Sequence, residues 1–295
     1  MSMGVLNNIA ATYAANNLSN TQSSLQNVLT QLSSGSRINS GADDAAGLSL
    51  ANGLEANQTA LTQSARNVSL GVGLLQTADG ALSQVNNLLN RAVTLATEAG
   101  NGTLNTSQDA AANQEYQSIL AEINNIGSTT TYNGNAVFGG GNVSIYTSDG
   151  TTTGTSTDTL TVAALSSAKV GDSAGLITSG AGAITYAPGT QVDLSATNLT
   201  SSANAQTALT AIGNAISAVA GQRGYLGSQI NTLNSMSSVE TTQSENLASA
   251  SNSIMATDYT QATSQLSKYQ ILTQTGISAL AQANSTQQAV TKLLQ

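Results

Sequence analysis

Written in rows of seven, residues 54–95 read LEANQTA, LTQSARN, VSLGVGL, LQTADGA, LSQVNNL and LNRAVTL. Each row opens on Leu or Val: Leu54, Leu61, Val68, Leu75, Leu82 and Leu89. Ala65, Val72, Ala78, Val85, Ala92 and Ala96 fill places three or four residues away. Two apolar positions per seven residues is the a/d pattern of helices packed along a seam, and a strand, with its period of two, does not produce it. The spacing predicts one helix over residues 42–99. Asp43 or Asp44 caps it or favours its positive end. Gly100, Asn101 and Gly102 stop it. At about 1.5 Å per residue the helix would be roughly 85 Å long. A globule of this chain length would be only about 50 Å across. The expected molecule is elongated.

Working outward, a second helix carries Ala112, Tyr116, Ile119, Ile123 and Ile126 on one stripe. Tyr132-Asn133-Gly134 follows as a hairpin turn, since Asn-Gly suits the positive φ angles such turns require. Downstream the heptad resumes through Ile212, Val219, Leu226, Leu233, Leu247 and Ile254, with Glu240 interrupting it. One long stripe early and one late predict two halves that zip together. Both chain ends repeat the pattern on a smaller scale. Leu18, Leu25 and Leu32 lie seven apart with Val28 and Leu29 between, and the last stretch runs through Leu266, Tyr269, Leu272, Gly276, Leu280 and Ala283. Breaks at 33–41 and 256–258 separate these ends from the long helices. Short amphipathic helices without a partner are marginal alone, so they are expected to order on assembly.

Residues 139–202 differ from both ends. They are rich in Gly, Ser, Thr and Ala, with alternating apolar residues in Val143-Ser144-Ile145-Tyr146 and Thr159-Leu160-Thr161-Val162. Helical period gives way to β-propensity. The expectation is a small, separately folded β-rich insertion. The predicted class is thus mainly α: a long antiparallel coiled-coil rod made from both chain ends, with a β-rich central insertion. The expected layout is 1–41, an N-terminal helix and linker; 42–138, rod helices and hairpin; 139–202, the insertion; 203–255, the C-terminal rod helix; and 256–295, the C-terminal helix.

Composition narrows the function classes. Only 7% of the 295 residues are charged and 3% are aromatic, with Phe138 the single Phe and Pro188 the single proline. Average soluble domains carry about a quarter charged residues. The net charge is −8, and the seven basic residues are scattered. No basic patch exists for phosphates, which argues against nucleic acid and anionic membranes. No run of 18 apolar residues predicts a membrane-spanning helix. The N-terminus, MSMGVLNNIAATYAANNLSN, has neither a basic region nor a continuous apolar one, so no ordinary secretory signal is read there.

His and Cys are both absent, which removes most nucleophile–base pairs and zinc sites. Arg37 with Asp43 and Asp44 reads as an interhelix loop, with Arg37 paired to a carboxylate and Asp43 capping the next helix, rather than as a catalytic or metal cluster. In the middle, Asp149, Asp158, Asp172 and Asp193 stand isolated among small and polar residues. Gly71-Val72-Gly73 lies on a helical stripe and follows no strand, so it is no dinucleotide motif; its glycines allow close helix approach. Asn67-Val68-Ser69, Asn142-Val143-Ser144 and Asn198-Leu199-Thr200 fit the N-glycosylation pattern, as chance provides in a chain this rich in Asn, Ser and Thr. The predicted catalytic, cofactor and metal sites are none.

Residues 32–51, LSSGSRINSGADDAAGLSLA, closely resemble the N-terminal signature of bacterial flagellins. Residues 264–295, SQLSKYQILTQTGISALAQANSTQQAVTKLLQ, resemble the flagellin C-terminal end. The resemblance implies a structural subunit, not an enzyme. Such a subunit is exported unfolded through the flagellar export apparatus and assembles into an extracellular filament for motility. It implies that residues up to about 33 and from about 259 pair as the innermost coiled coil. Subunit contacts would then fall on Leu18, Leu25, Leu32, Arg37, Asp43, Asp44, Leu272 and Leu280. The implied partners are further copies of the chain, the flagellar cap, junction proteins and an export chaperone. The family also carries a surface read by Toll-like receptor 5, whose matching positions are Arg91, Leu95 and Glu115. Asn90 stands where many recognised members have Gln, and residues 234–239 do not match them clearly. Two alternatives use the same features: a hook–filament junction protein, with similar terminal motifs, and a secreted coiled-coil adhesin working through residues 139–202.

Overall fold

The structure, a computed structural model, describes residues 8–148, 157–171 and 192–293. In chain order the elements are α1 (Ile9–Ser34), α2 (Ala45–Gly100), α3 (Thr106–Thr129), β1 (Thr131–Tyr132), β2 (Asn135–Ala136), β3 (Asn142–Tyr146), β4 (Thr157–Thr161), α4 (Ser202–Met255) and α5 (Tyr259–Leu293). The class is the expected one, mainly α with two small antiparallel ribbons. The chain divides into two compact units, Met1–Ala56 with Asn246–Gln295 and Asn57–Glu245.

In the second unit the heptad residues of α2 are the core. Leu61, Val68, Leu75, Leu82 and Leu89 are buried, and from α4 so are Ile212, Val219, Leu226 and Leu233. Each such side chain contributes about 1.5–3 kcal/mol when fully removed from water. The two helices run antiparallel. As α2 advances from Ser64 to Asp79 to Gly100, its partner on α4 recedes from Glu240 to Arg223 to Ser202. The Arg223 guanidinium donates to Asp79 at 2.7 and 3.3 Å, a two-pronged pair on a half-exposed face.

The third helix starts at a capping box, with Asn105 accepting from the Gln108 N–H while the Gln108 side chain accepts from the Asn105 N–H. Tyr116, Ile119 and Ile123 of α3 are buried in the shared core, with Ala112 and Ile126 half-buried at the ends of the predicted stripe. The hairpin β1–β2 turns at Asn133 (φ 50°) and Gly134 (φ 79°), the left-handed pair that the Asn-Gly sequence supplies.

Two expectations are corrected in this unit. The described part of 139–202 does not fold separately. Ile145 of β3, Leu160 of β4, and Leu165, Val170, Leu194 and Leu199 join the same core as α2, α3 and α4. The Asn124 amide donates to Ser167 Oγ and its carbonyl accepts from the Ser167 N–H, and the Tyr116 hydroxyl is hydrogen-bonded to Thr197 Oγ1. Asp149 and Asp172 lie outside the described residues. The Gly71-Val72-Gly73 glycines admit not another helix but the β elements. A β-carbon at Gly71 would collide with Ile145 Cδ1, and one at Gly73 would sit 2.7 Å from the Tyr132 hydroxyl.

Candidate functional site

The first unit is built from α1, α5 and the segments that join them to the long helices. Asn8 caps α1 by accepting from the Ala11 N–H. The helix ends where Gly35 adopts φ 71° and returns its N–H to the Gln31 carbonyl. A β-carbon at Gly35 would lie 3.0 Å from the Tyr259 hydroxyl, so glycine serves both the turn and the fit. Asp258 caps α5 by accepting from the Thr260 and Gln261 N–H groups. The two connectors meet in a short antiparallel bridge, Ser36 with Ala256, flanked by bonds from the Arg37 N–H to Met255 O and from the Thr257 N–H to Gly35 O.

From that bridge α1 and α5 run antiparallel. Gly276 lies against Leu18, and the Asn8 amide donates to the Ala283 carbonyl near the far end. Leu18, Leu25 and Leu32 are half-buried on one stripe of α1 with buried Val28. On α5 the covered stripe passes through Ala262, Leu266, Tyr269, Thr273, Gly276, Leu280 and Ala283. Leu272, expected on this stripe, is displaced from it: it is 41% exposed, and Thr273 takes the place. Gly276 lets the helices approach at Leu18, and the bulkier residues off this stripe are left outside the seam.

Those outward neighbours define the site. Ile9, Tyr13 and Leu29 of α1, Leu50 of α2, and Tyr259, Ile271, Leu272 and Ile277 of α5 are each 41–67% exposed. Among the described residues of this unit the buried apolar ones are few: Val28, Ile38, Ala51 and Ala262. α1 contains no charged residue at all. A helix pair that exposes more large apolar side chains than it buries, with no charge on α1 and only Lys268 and Lys292 on α5, carries the signature of an interface rather than of a solvated surface.

The acidic loop departs from expectation in its details. Asp44, not Asp43, caps α2, by accepting from the Gly47 N–H at 2.8 Å. Asp43 instead accepts from the Asn39 and Ser40 N–H groups and the Ser40 hydroxyl. The Asn39 and Ser40 N–H bonds, then the hydroxyl, hold its carboxyl below the usual carboxylate range. Among the described ion pairs none involves Arg37; its backbone is what the loop uses, donating to Met255 and accepting from the Gln31 amide. Asp193 is held below its usual range by the Ser195 hydroxyl and N–H, while Asp158 is buried in β4.

In the second unit, the three positions expected to form a receptor surface separate. Arg91 of α2 and Glu115 of α3 form an ion pair at 2.7 Å with both side chains about half exposed, 55% and 46%. Leu95 is buried in the core. The outward apolar residues Ile9, Tyr13, Tyr259, Ile271 and Ile277 are not legible as site residues from the heptads, because they lie off the regular stripes. The buried contact of Ser64 with Glu240 is also new; its one signal was Glu240 standing in a heptad place.

Comparison with known proteins joins these observations. The profile of the bacterial flagellin N-terminal helical region matches residues 5–143, and that of the bacterial flagellin C-terminal helical region matches residues 209–294. A flagellin of Listeria monocytogenes is 34% identical over 276 residues, covering 90% of each chain. A flagellin of Halalkalibacterium halodurans is 33% identical over 300 residues, covering 99% of this chain and 100% of that one. The crystal structure of Bacillus cereus flagellin is 29% identical, covering 63% of this chain and 94% of that chain with a TM-score of 0.47. With both terminal regions matched and relatives similar along almost its whole length, the chain belongs to the bacterial flagellin family and is a structural subunit of the flagellar filament.

Proposed function

We propose that the α1–α5 pair is the innermost, filament-building part of the subunit, and that its outward apolar residues bind neighbouring copies. The observation that carries this reading is that Ile9, Tyr13, Tyr259, Ile271, Leu272 and Ile277 are all exposed, on helices whose only charged residues are Lys268 and Lys292 of α5. Each large apolar side chain removed from water yields about 1.5–3 kcal/mol, so several per subunit offset the ordering of the terminal helices. Leu18, Leu25, Leu32 and Leu280 set the spacing of the pair, while Leu272 makes the contact outward. Arg37, Asp43 and Asp44 present the loop between α1 and α2 to the same neighbours. Repeated head-to-tail contacts with a non-closing rotation give an open filament rather than a ring. The layout is inner helices at 1–41 and 256–295, rod helices at 42–138 and 203–255, and outward-facing residues at 139–202. The function is mechanical, with no catalysis, and its place is extracellular. An export chaperone, junction proteins and the cap are the transient partners.

Replacing Ile271, Leu272 and Ile277 together by Ser tests the reading. Seeded polymerisation followed by sedimentation is expected to leave this variant in the supernatant, while its monomer melts as the parent does. Sedimentation equal to that of the parent would contradict the reading.

A second reading concerns Toll-like receptor 5. The exposed Arg91–Glu115 pair supports a receptor contact, with buried Leu95 acting only by holding α2 in place. Arg91→Ala is expected to reduce receptor signalling by monomers without changing their melting temperature.

A further inference from the structure

Glu240 stands where α4 should carry an apolar residue, seven places after Leu233 and seven before Leu247. It is only 4% exposed. Its Oε1 lies 2.7 Å from Oγ of Ser64, itself 1% exposed on α2. The same Ser64 Oγ lies 3.2 Å from the carbonyl oxygen of Tyr146, the last residue of β3. The second carboxyl oxygen, Oε2, is buried and has no hydrogen-bond partner among the described residues.

Charged and titratable neighbours do not account for this arrangement. On α2 the nearest cation in sequence is Arg66, exposed and lining a shallow groove with Thr241 and Ser237. It makes no ion pair with Glu240, and the described ion pairs are Arg91–Glu115 and Arg223–Asp79. On α4, Glu245 is exposed. On β3 the Tyr146 side chain is 37% exposed, and its carbonyl is what meets Ser64. Asp149 lies outside the described residues. Glu240 therefore faces a hydroxyl and, through it, a carbonyl.

Ser64 has one hydroxyl proton and two acceptors within reach, so it serves one at a time. If Glu240 is ionised, the carboxylate is the stronger acceptor and takes that proton. The Tyr146 carbonyl then loses the Ser64 donor, and Oε2 stays buried and unsatisfied. If Glu240 is protonated on Oε1, its O–H donates to Ser64 Oγ and the Ser64 O–H turns to the Tyr146 carbonyl. Each hydroxyl proton then has an acceptor, and α4, α2 and β3 are joined by one chain of bonds. We propose that Ser64 relays the protonation state of Glu240 to the end of β3, tethering β3 to α2 when Glu240 is neutral and dropping that tether when it ionises.

Burial raises the Glu240 carboxyl above its ordinary value, against the opposing effect of the Ser64 hydrogen bond. A folded-state pKa above the unfolded one means that the stabilisation is complete below the unfolded value, about 4.3. It is lost as pH rises through the folded value. The tether belongs to the acid side.

Native-state hydrogen exchange on the full-length monomer tests the relay, following the amides of residues 142–148 in the parent and in Glu240→Gln near pH 4 and near pH 8. The Gln amide donates to Ser64 at every pH and so holds the relay in its tethered arrangement. Matched exchange is expected near pH 4. Near pH 8 the parent should exchange about three- to tenfold faster than Glu240→Gln, the change in opening equilibrium that accompanies loss of one net hydrogen bond. In Ser64→Ala the pH-dependent part of the difference should vanish. Equal exchange at both pH values, or a difference that survives in Ser64→Ala, would overturn the proposal. If Glu240→Gln does not fold, the carbonyl carbon shift of Tyr146 in the parent chain must track the titration of the Glu240 carboxyl, and a flat Tyr146 shift across that titration would overturn it equally.

Discussion

Gly276 of α5 lies against Leu18 of α1 so closely that a β-carbon added to the glycine would sit 3.2 Å from Leu18 Cδ1. Glycine in a helix interior costs about 1 kcal/mol relative to alanine. Here that cost is offset by the approach of the two terminal helices. The pair is held by few buried side chains, so its spacing matters more than its hydrophobic content.

Substitution at Gly276 should therefore be graded. Gly276→Ala needs Leu18 to yield by a few tenths of an ångström and gains helix propensity, so assembly should change little. Gly276→Leu overpacks the seam, at a cost of about 1–3 kcal/mol. Its critical concentration for polymerisation should rise at least severalfold, while the melting of the long-helix unit stays put. Normal assembly by Gly276→Leu would show that the seam is looser than the structure has it.

Leu226 is fully buried on α4 and belongs to the shared core. Leu226→Ala should cost about 2–5 kcal/mol through lost burial and the cavity left behind. The expected readout is a lower urea midpoint with an unchanged slope. A loss below about 1 kcal/mol would mean that the surrounding helices collapse onto the gap.

Glu240→Leu restores the apolar heptad place and leaves Ser64 free to serve the Tyr146 carbonyl. The parent loses stability as pH rises, because its buried carboxyl must ionise. The variant's advantage should consequently be largest near pH 8, about 1–3 kcal/mol, and shrink towards zero near pH 4. Thermal melts of both chains across that range check the sign. An advantage that grows on acidification would contradict it.

The long helices were legible because burial there follows the period of seven: Leu75, Leu82 and Leu89 are fully buried, as are Ile212, Val219 and Leu226. The Asn133-Gly134 turn was legible because its positive φ angles restrict the residues that fit. The terminal pair was read less well. Its seam mixes Leu266, Tyr269 and Leu280 with the smaller Thr273, Gly276 and Ala283, so apolar character alone does not mark the covered side, and counting apolar residues put Leu272 on the wrong face. Glu240 looked like a break in the pattern, since a sequence does not reveal that Ser64, 176 residues away, would meet it. The packing of Ile145 and Leu160 over Gly71 was hidden for the same reason, being a long-range fit of large side chains onto a glycine.

The claim that α5 builds the filament meets its most direct test in electron microscopy of the full chain and of a chain ending at Asp258, each seeded with short filament fragments under the same conditions. Long uniform filaments from the full chain and none from the shortened one are predicted, with the shortened chain still showing the helical circular dichroism of its long-helix unit. Filaments of normal length from the shortened chain would contradict the role given to α5 and to its outward apolar residues.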